Sequence, residues 1–75
     1  MNKRLIQARS EKGLTQEQIA SLAGIDRSTY AHYERGRSPH LETAITIASI
    51  VKKPVEYLFL RKKVLKQRNQ PTGTE

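Results

Sequence analysis

Residues 15–34, with the sequence TQEQIASLAGIDRSTYAHYE, determine the fold. Thr15 followed by Gln18 forms the pattern of a capping box, in which each residue satisfies a free backbone N–H at the start of a helix. Gly24 suits the left-handed conformation that ends a helix, and Asp26 is a favoured residue at the start of the next one. The stretch therefore predicts two short helices joined by a tight turn of about three residues.

Signals of the same kind extend the helical pattern over the rest of the chain. Gly13 and Gly36 follow apolar stretches and predict helix ends, whereas Pro39 and Pro54 stand where a proline can precede or open a helix. No strand pattern competes, so we expect an all-α fold with helices near residues 2–12, 15–23, 26–35, 41–51 and 54–60. Apolar spacing predicts one shared core of Leu5, Ile6, Ile19, Leu22, Ala23, Leu41, Ala44, Ile45, Ala48, Val51, Val55, Leu58 and Phe59.

The composition limits both size and chemistry. A chain of 75 residues forms one small domain, in which a large enzyme pocket is improbable. Because there is no cysteine, neither a disulfide framework nor a thiolate zinc site is possible. The chain also lacks the long apolar run of a membrane span or a signal peptide. We therefore expect a soluble, intracellular protein that does not contact the membrane.

The net charge of +7 is unevenly distributed. Residues 1–60 carry nine basic and six acidic side chains, and residues 61–75 carry five and one, so the two parts hold +3 and +4. We therefore divide the chain into a domain at residues 1–60 and a basic C-terminal tail at 61–75, partly disordered or extending the fifth helix, with disorder expected over residues 69–75. Total charge is thus weak support for nucleic-acid binding.

Four short motifs are more specific than the charge. They are Leu-Thr-Gln-Glu at residues 14–17, Ala-Gly-Ile at 23–25, Tyr-Glu-Arg-Gly at 33–36 and Pro-x-Leu-Glu-Thr at 39–43. Through these motifs the chain resembles the Cro/cI-type (XRE, lambda-repressor-like) helix-turn-helix regulators over roughly residues 4–59. The resemblance implies a compact five-helix DNA-binding domain with the helix-turn-helix at its second and third helices. Family members usually bind an operator as dimers, with the third helix in the major groove.

The third helix has two dissimilar sides. A helical wheel over residues 27–35 predicts a packing side and an outer side, with Arg27 at the leading edge. The packing side holds Tyr30, Tyr33 and Glu34, and the outer side holds Ser28, Ala31, His32 and Arg35. Recognition helices read bases mainly through their N-terminal residues, and Arg27 can pair with the O6 and N7 atoms of guanine. The alternative is an ion pair of Arg27 with Asp26 or with a neighbour on the solvent face. The predicted base contacts are Arg27, Ser28, Ala31 and His32.

Contacts to the DNA backbone are predicted on both sides of that helix. Gln16 matches a phosphate-binding glutamine of the family, whereas Thr15 is at least as readily explained as a helix cap. The loop after Gly36 resembles the second phosphate-binding site of the family, although His40 caps the fourth helix poorly and the loop could simply be solvated. The predicted backbone contacts are Arg9, Thr15, Gln16, Thr29, Arg35, Arg37, Ser38 and His40.

Other residues are assigned to structure and assembly. Arg9 and Glu34 resemble a family ion pair that joins the first helix to the third, and Tyr30 and Tyr33 suit the core better than base stacking. The predicted dimer interface consists of Val55, Tyr57, Leu60 and Val64. For the run 61–68 a solvated tail, a phosphate contact and part of a dimer seam all stay open.

The function predicted from the sequence is that of a sequence-specific transcriptional regulator. We expect a repressor, bacterial or phage-encoded and located in the cytoplasm at the nucleoid, that binds double-stranded DNA as a homodimer at a near-palindromic operator. The alternative is a protein-interaction module, an antitoxin or adaptor, that uses the tail to bind a protein partner. His32 and His40 lack other metal ligands at suitable spacing, and no nucleophile with a base occurs, so we predict no metal, no cofactor and no enzyme activity.

Overall fold

The computed structural model describes residues 1–59, which form five helices. These are α1 (Lys3–Glu11), α2 (Gln16–Ala23), α3 (Arg27–Glu34), α4 (Leu41–Val51) and α5 (Val55–Phe59). Within this part of the chain no residue is in a strand, and each helix lies within two residues of its predicted bounds. The all-α, five-helix prediction is therefore confirmed. Leu60, Val64 and the tail at residues 61–75 lie outside the described residues.

The ends of α2 follow the predicted local chemistry. The Thr15 hydroxyl accepts from the Gln18 backbone N–H at 3.0 Å, and the Thr15 N–H donates to Gln18 Oε1 at 2.9 Å, which completes the capping box. Gly24 ends the helix at φ 75°, where a Cβ would be strained. Asp26 and His40 occupy the cap positions of α3 and α4, yet neither side chain makes a cap hydrogen bond. The poor cap expected of His40 is confirmed. Asp26 stands at the predicted cap position, but its side chain does not cap α3.

Asn2 holds three helices together, which the sequence analysis did not predict. Its side-chain oxygen accepts from the Leu5 N–H at 3.0 Å and caps α1. Its amide nitrogen donates to the Leu58 carbonyl at 2.8 Å, and its backbone N–H donates to the Glu34 carbonyl at 2.7 Å. This one residue therefore fixes the start of α1 against the ends of α3 and α5.

The core lies between all five helices, but four predicted members are not in it. Leu22, Leu41 and Ile45 are 63%, 68% and 51% exposed, and Ile6 is half-buried without packing against the core, so their assignment to the core was wrong. On α4 the buried stripe shares Ala44, Ala48 and Val51 with the predicted one, but Ile47 is buried in place of Leu41 and Ile45. Both stripes keep the helical spacing, and the packing of α2 and α5 selects between them. The largest fully buried side chains are those of Tyr30, Leu5, Ile19, Ile47 and Val51.

Candidate nucleic-acid interface

The short turn between α2 and α3 leaves one strip of α3 on the surface. α3 packs against both α1 and α2, and this double contact buries Tyr30, Ala31, Tyr33 and Glu34. The exposed residues of the helix are Arg27, Ser28, His32 and Arg35, the last at its C-terminal cap. They share one face because residues 28, 32 and 35 are spaced by three or four positions and residue 27 adjoins residue 28. Residues able to donate hydrogen bonds therefore cover the outer face of α3.

Glu34 anchors α3 from beneath this strip. The residue is 4% exposed, and one side chain from each of α1, α2 and α3 donates to its carboxylate. Oε2 accepts from the Tyr30 hydroxyl at 2.6 Å and from Arg9 Nε at 2.7 Å. Oε1 accepts from Gln16 Nε2 at 2.9 Å and lies 3.4 Å from Arg9 Nη2. The Arg9 and Glu34 pair expected from the family resemblance is thus present, with Gln16 as an additional partner.

The surroundings of Glu34 control the ionisation of three groups. Burial by itself raises the pKa of Glu34, but the hydrogen bonds from Arg9, Tyr30 and Gln16 outweigh it and hold the pKa below the ordinary value. Burial, reinforced by the bond to the carboxylate, raises the pKa of the Tyr30 hydroxyl. The hydrogen bond to Glu34 raises the pKa of Arg9, against the effect of burial. At neutral pH the site therefore contains a carboxylate, a guanidinium and a neutral phenol.

Gln16 connects this buried group to the surface strip. Because its amide N–H donates to Glu34, its Oε1 must face the other way. Arg27 Nη1 lies 3.5 Å from that oxygen, a long contact at the limit of a hydrogen bond. The ion pair of Arg27 with Asp26, which was the alternative to base contact, is not formed in the described part of the chain, where the two salt bridges join Arg9 to Glu34 and Lys53 to Glu11. Arg27 thus faces solvent beside a side chain that is itself held in place.

The helical wheel was wrong about Ala31. This residue is 9% exposed and belongs to the buried face, which leaves little of its methyl group for contact with a thymine. The wheel placed Ala31 beside His32 and Arg35, whereas packing of α3 against both α1 and α2 buries it together with the packing side. The exposed face is therefore narrower than predicted, and Ala31 is better explained as a packing residue.

The residues predicted to contact the DNA backbone lie around the exposed strip of α3 and differ in how far they are buried. Arg9, Gln16 and Thr29 are half-buried, and Arg9 also donates to the Leu14 carbonyl at 2.8 Å. In the loop between α3 and α4, the turn at Gly36 (φ 120°) is closed by a hydrogen bond from the Arg37 N–H to the His32 carbonyl at 3.1 Å. The exposed members of the predicted backbone-contact set are Thr15, Arg35, Arg37, Ser38 and His40.

Comparison with known proteins agrees with this geometry. The helix-turn-helix family model matches residues 5–58, which include all of α2 and α3. The chain belongs to the helix-turn-helix family, XRE type. Membership in this family indicates a DNA-binding regulator and not an enzyme. The expected resemblance to Cro/cI-type proteins is therefore confirmed.

Two relatives of this helix-turn-helix chain carry names of the same kind. An "Uncharacterized HTH-type transcriptional regulator" of Archaeoglobus fulgidus is 34% identical over 61 residues, which cover 80% of the chain and 87% of the relative. The "Uncharacterized HTH-type transcriptional regulator YqaE" of Bacillus subtilis is 39% identical over 56 residues, 73% of the chain. The chain spans about half of the Bacillus protein, 48% of its length. No solved structure matches the chain significantly.

Of the predicted dimer residues, Val55 and Tyr57 lie in the described part of this helix-turn-helix chain. Val55 is half-buried and lines a groove beside α4. Tyr57 is 39% exposed, but its ring lies under Arg4 at 4.9 Å and near Lys53 at 5.7 Å from the ring centre. Leu60 and Val64 are outside the described part of the chain. Val55 and Tyr57, which the sequence analysis placed together, thus lie on different sides of α5.

Two further observations concern residues 1–59 alone. None of their helices is both long and apolar enough to cross a membrane. These residues also bring no three His, Asp or Glu side chains together as a set of metal ligands.

Proposed function

We propose that the chain is a sequence-specific transcriptional repressor that inserts α3 into the major groove of DNA. In this role Arg27, Ser28 and His32 contact base edges. Two copies bind a near-palindromic operator in the cytoplasm, with half-sites about one helical turn, ~34 Å, apart. Repression follows from occlusion, because a bound dimer excludes other proteins from the same duplex.

The outer face of α3 carries this proposal. It offers an arginine and a serine in the first turn of the helix, where recognition helices meet bases, and a histidine one turn further along the same face. The opposite face is fixed by Tyr30, Tyr33 and Glu34, so the strip is presented on a rigid support. A bidentate pair between an arginine and guanine discriminates against other bases by about 1–3 kcal/mol. Arg27, exposed and oriented beside Gln16, suits that pairing best.

Phosphate contacts on either side of α3 supply affinity. The loop residues Arg37, Ser38 and His40 are exposed on one side, and Thr15 and Gln16 begin α2 on the other. Free backbone N–H groups at the start of α2 favour an anion there. Arg9 uses three of its five N–H groups within the protein, which leaves two for a phosphate. Thr29 and Arg35 lie at the edges of the same face.

Selection of bound sites from random duplex DNA tests the proposal directly. We expect a single enriched sequence with two inverted half-sites whose centres lie about 10 base pairs apart. If the folded protein binds duplex DNA but no sequence is enriched, sequence-specific recognition is contradicted. A single half-site without an inverted copy would contradict the dimer.

Variants separate base contacts from phosphate contacts. Arg27→Ala should relax the preference at one base position, at a cost of about 1–3 kcal/mol on the selected site. Arg37→Ala should lower the affinity for all DNA sequences equally and reduce the slope of log K against log salt by about 1. Lys12→Ala is the matched control, because it removes one exposed positive charge at the end of α1 without touching the proposed face. Equal effects of the first two variants on every sequence would refute this division of roles.

Salt dependence distinguishes DNA binding from the protein-interaction alternative. With about four phosphate contacts per subunit, log K should fall against log salt with a slope near −7 for the dimer. A flat response would favour an antitoxin or adaptor. That alternative depends on residues 60–75, which lie outside the described part of the chain.

A further inference from the structure

Three residues form a chain of polar contacts from the buried side of α3 to its exposed strip. Gln16 Nε2 donates to Glu34 Oε1 at 2.9 Å, and Arg27 Nη1 lies 3.5 Å from Gln16 Oε1. Glu34 is buried, Gln16 is half-buried and Arg27 is exposed, so the contacts run from the interior to the surface. Within residues 1–59, Gln16 is the side chain with which Arg27 makes a hydrogen-bond contact.

We propose that Gln16 is a positioning residue, which holds Arg27 for base recognition and is itself oriented by the buried carboxylate of Glu34. The assignment rests on the proposed function and deepens it, because it gives Gln16 a part in reading the DNA sequence. A contact between Gln16 and phosphate alone would contribute to affinity and carry no sequence information. The two roles therefore predict different results in binding experiments.

The chemistry of the two neighbours determines which way the Gln16 amide points. The ionised carboxylate of Glu34 can only accept hydrogen bonds, and the guanidinium of Arg27 can only donate them. The amide of Gln16 has one group of each kind, so its NH2 faces Glu34 and its oxygen is left for Arg27. The reversed amide would place oxygen against oxygen on one side and N–H against N–H on the other. The network therefore permits one orientation of the amide.

A charged side chain at position 16 could not make both contacts. An acidic side chain there would repel the carboxylate of Glu34. A basic side chain would bond to Glu34 and repel the guanidinium of Arg27. A neutral amide of this length connects the buried anion to the surface cation without repelling either.

Restricting Arg27 before DNA arrives lowers the cost of recognition. An arginine side chain loses rotamer freedom when it is fixed against a base, and a contact that already restricts it reduces that loss. The contact with Gln16 takes one of the five N–H groups of Arg27, and two others suffice for the O6 and N7 atoms of guanine. The second N–H of the Gln16 amide is still available for a phosphate. Gln16 therefore contributes to sequence preference in addition to affinity.

Binding of duplexes that differ at one base pair tests the proposal. The probes are the duplex that the selection experiment enriches and its versions with each other base pair at the position whose preference Arg27→Ala relaxes. Gln16→Met removes both polar groups of the amide at similar length and unchanged charge. We expect the ratio of Kd between altered and enriched duplexes to fall by about threefold to tenfold, the effect of one hydrogen bond. In the Arg27→Ala background, Gln16→Met should leave this ratio unchanged.

Two control variants separate positioning from a general loss of stability. Gln7→Met is the matched control, because Gln7 also donates to a glutamate, Glu11 at 3.2 Å, but in an exposed part of α1. Tyr30→Phe removes a different donor to Glu34, at 2.6 Å, and leaves the bond from Gln16 in place. Both controls should keep the wild-type ratio once circular dichroism verifies that they are folded. An equal loss of affinity for every duplex in Gln16→Met, or a reduced ratio in either control, would overturn the positioning role.

Glu34→Gln tests the part assigned to the buried carboxylate. The new amide keeps its oxygen where Tyr30 and Arg9 donate at 2.6 and 2.7 Å, so its nitrogen faces Gln16. The Gln16 amide must then turn and present N–H groups to Arg27, which breaks their contact. We expect the ratio to fall as in Gln16→Met, with no further fall when the two substitutions are combined. An unchanged ratio in folded Glu34→Gln would overturn the part of the carboxylate.

NMR relaxation of the Arg27 Nε–H group in the free protein separates this inference from the proposed function. Its order parameter should fall in Gln16→Met and stay unchanged in Gln7→Met. If selection enriches no sequence and the order parameter changes in this way, the function fails and the positioning of Arg27 stands. If a sequence is enriched and Gln16→Met changes neither the ratio nor the order parameter, the positioning role fails and DNA binding stands.

Discussion

Replacing Glu34 by glutamine should cost about 3 kcal/mol of unfolding free energy. The carboxylate is 4% exposed and accepts four hydrogen-bond contacts from Tyr30, Arg9 and Gln16. The amide of Glu34→Gln has the same size but only one acceptor oxygen, so its nitrogen would face donors, and Arg9 would lose its counter-charge. Breaking a buried pair by removing one partner costs about 3–5 kcal/mol, and the lower figure applies because Arg9 is 18% exposed as a side chain.

That loss is large for a protein of this size. At 0.05–0.15 kcal/mol per residue, a chain of 75 residues has a total stability of about 4–11 kcal/mol. A loss of about 3 kcal/mol lowers Tm by roughly 12–24 °C in a domain of this length. Urea and thermal unfolding followed by circular dichroism measure both quantities.

Glu11→Gln provides a matched control. Glu11 pairs with Lys53 at 3.6 Å, and the two side chains are 50% and 37% exposed. An ion pair in solvent contributes little, so the control should lose less than about 0.5 kcal/mol. In a double-mutant cycle, Arg9→Met should cost less in the Glu34→Gln background than in the wild type. A loss below about 1 kcal/mol for Glu34→Gln, or strict additivity in the cycle, would refute the reasoning.

Three further predictions concern stability. The pKa of Glu34 is held below its ordinary value of 4.5, so the carboxylate contributes its full share of folding stability above that pH and loses it as pH falls through the folded-state pKa. The difference in urea midpoint between wild type and Glu34→Gln should therefore narrow from pH 7 to pH 3. A constant difference would contradict this. Thr15→Ala removes the cap of α2 and should lower the free energy of unfolding, measured in urea, by about 1 kcal/mol. Thr46→Ala, at an exposed position of α4, should change it by less than about 0.5 kcal/mol. Equal losses for the two variants would argue against the cap. Lys52 adopts φ 60° at the end of α4, so Lys52→Gly should raise Tm by relieving about 1 kcal/mol of left-handed strain, and a lower Tm would show that the strain is absent.

Local chemistry made most of the fold predictable. The capping box at Thr15 and the glycine at position 24 are read from neighbouring residues, so the bounds of α2 followed from sequence. Which side of a helix is buried cannot be read from neighbouring residues, because it depends on the elements that pack against the helix. On α4, residues 41, 44, 45, 48 and 51 form an apolar stripe, but packing selects residues 44, 47, 48 and 51. Leu41 and Ile45 therefore reach the surface although their spacing suggested the core.

The candidate site was predictable in its parts and not in its connections. The outer residues of α3 followed from the helical period, with Ala31 as the exception that double packing explains. Gln16 and Glu34 are 18 positions apart, and no local pattern indicates that the amide of one donates to the carboxylate of the other. Asn2 gave a signal that could have been used, since asparagine is a strong helix cap and stands directly before α1. Its bonds to α3 and α5 required the tertiary structure.

In the proposed mode of DNA recognition, the fixed orientation of the Gln16 amide limits how the protein can be retargeted to new DNA sequences. Glu34 takes the donor side of the amide, so position 27 always meets an oxygen. Residues with a donor at position 27 would suit that neighbour, whereas an acidic residue would repel it. Engineers who wish to alter the preferred base should therefore vary positions 16 and 27 as a pair rather than one at a time.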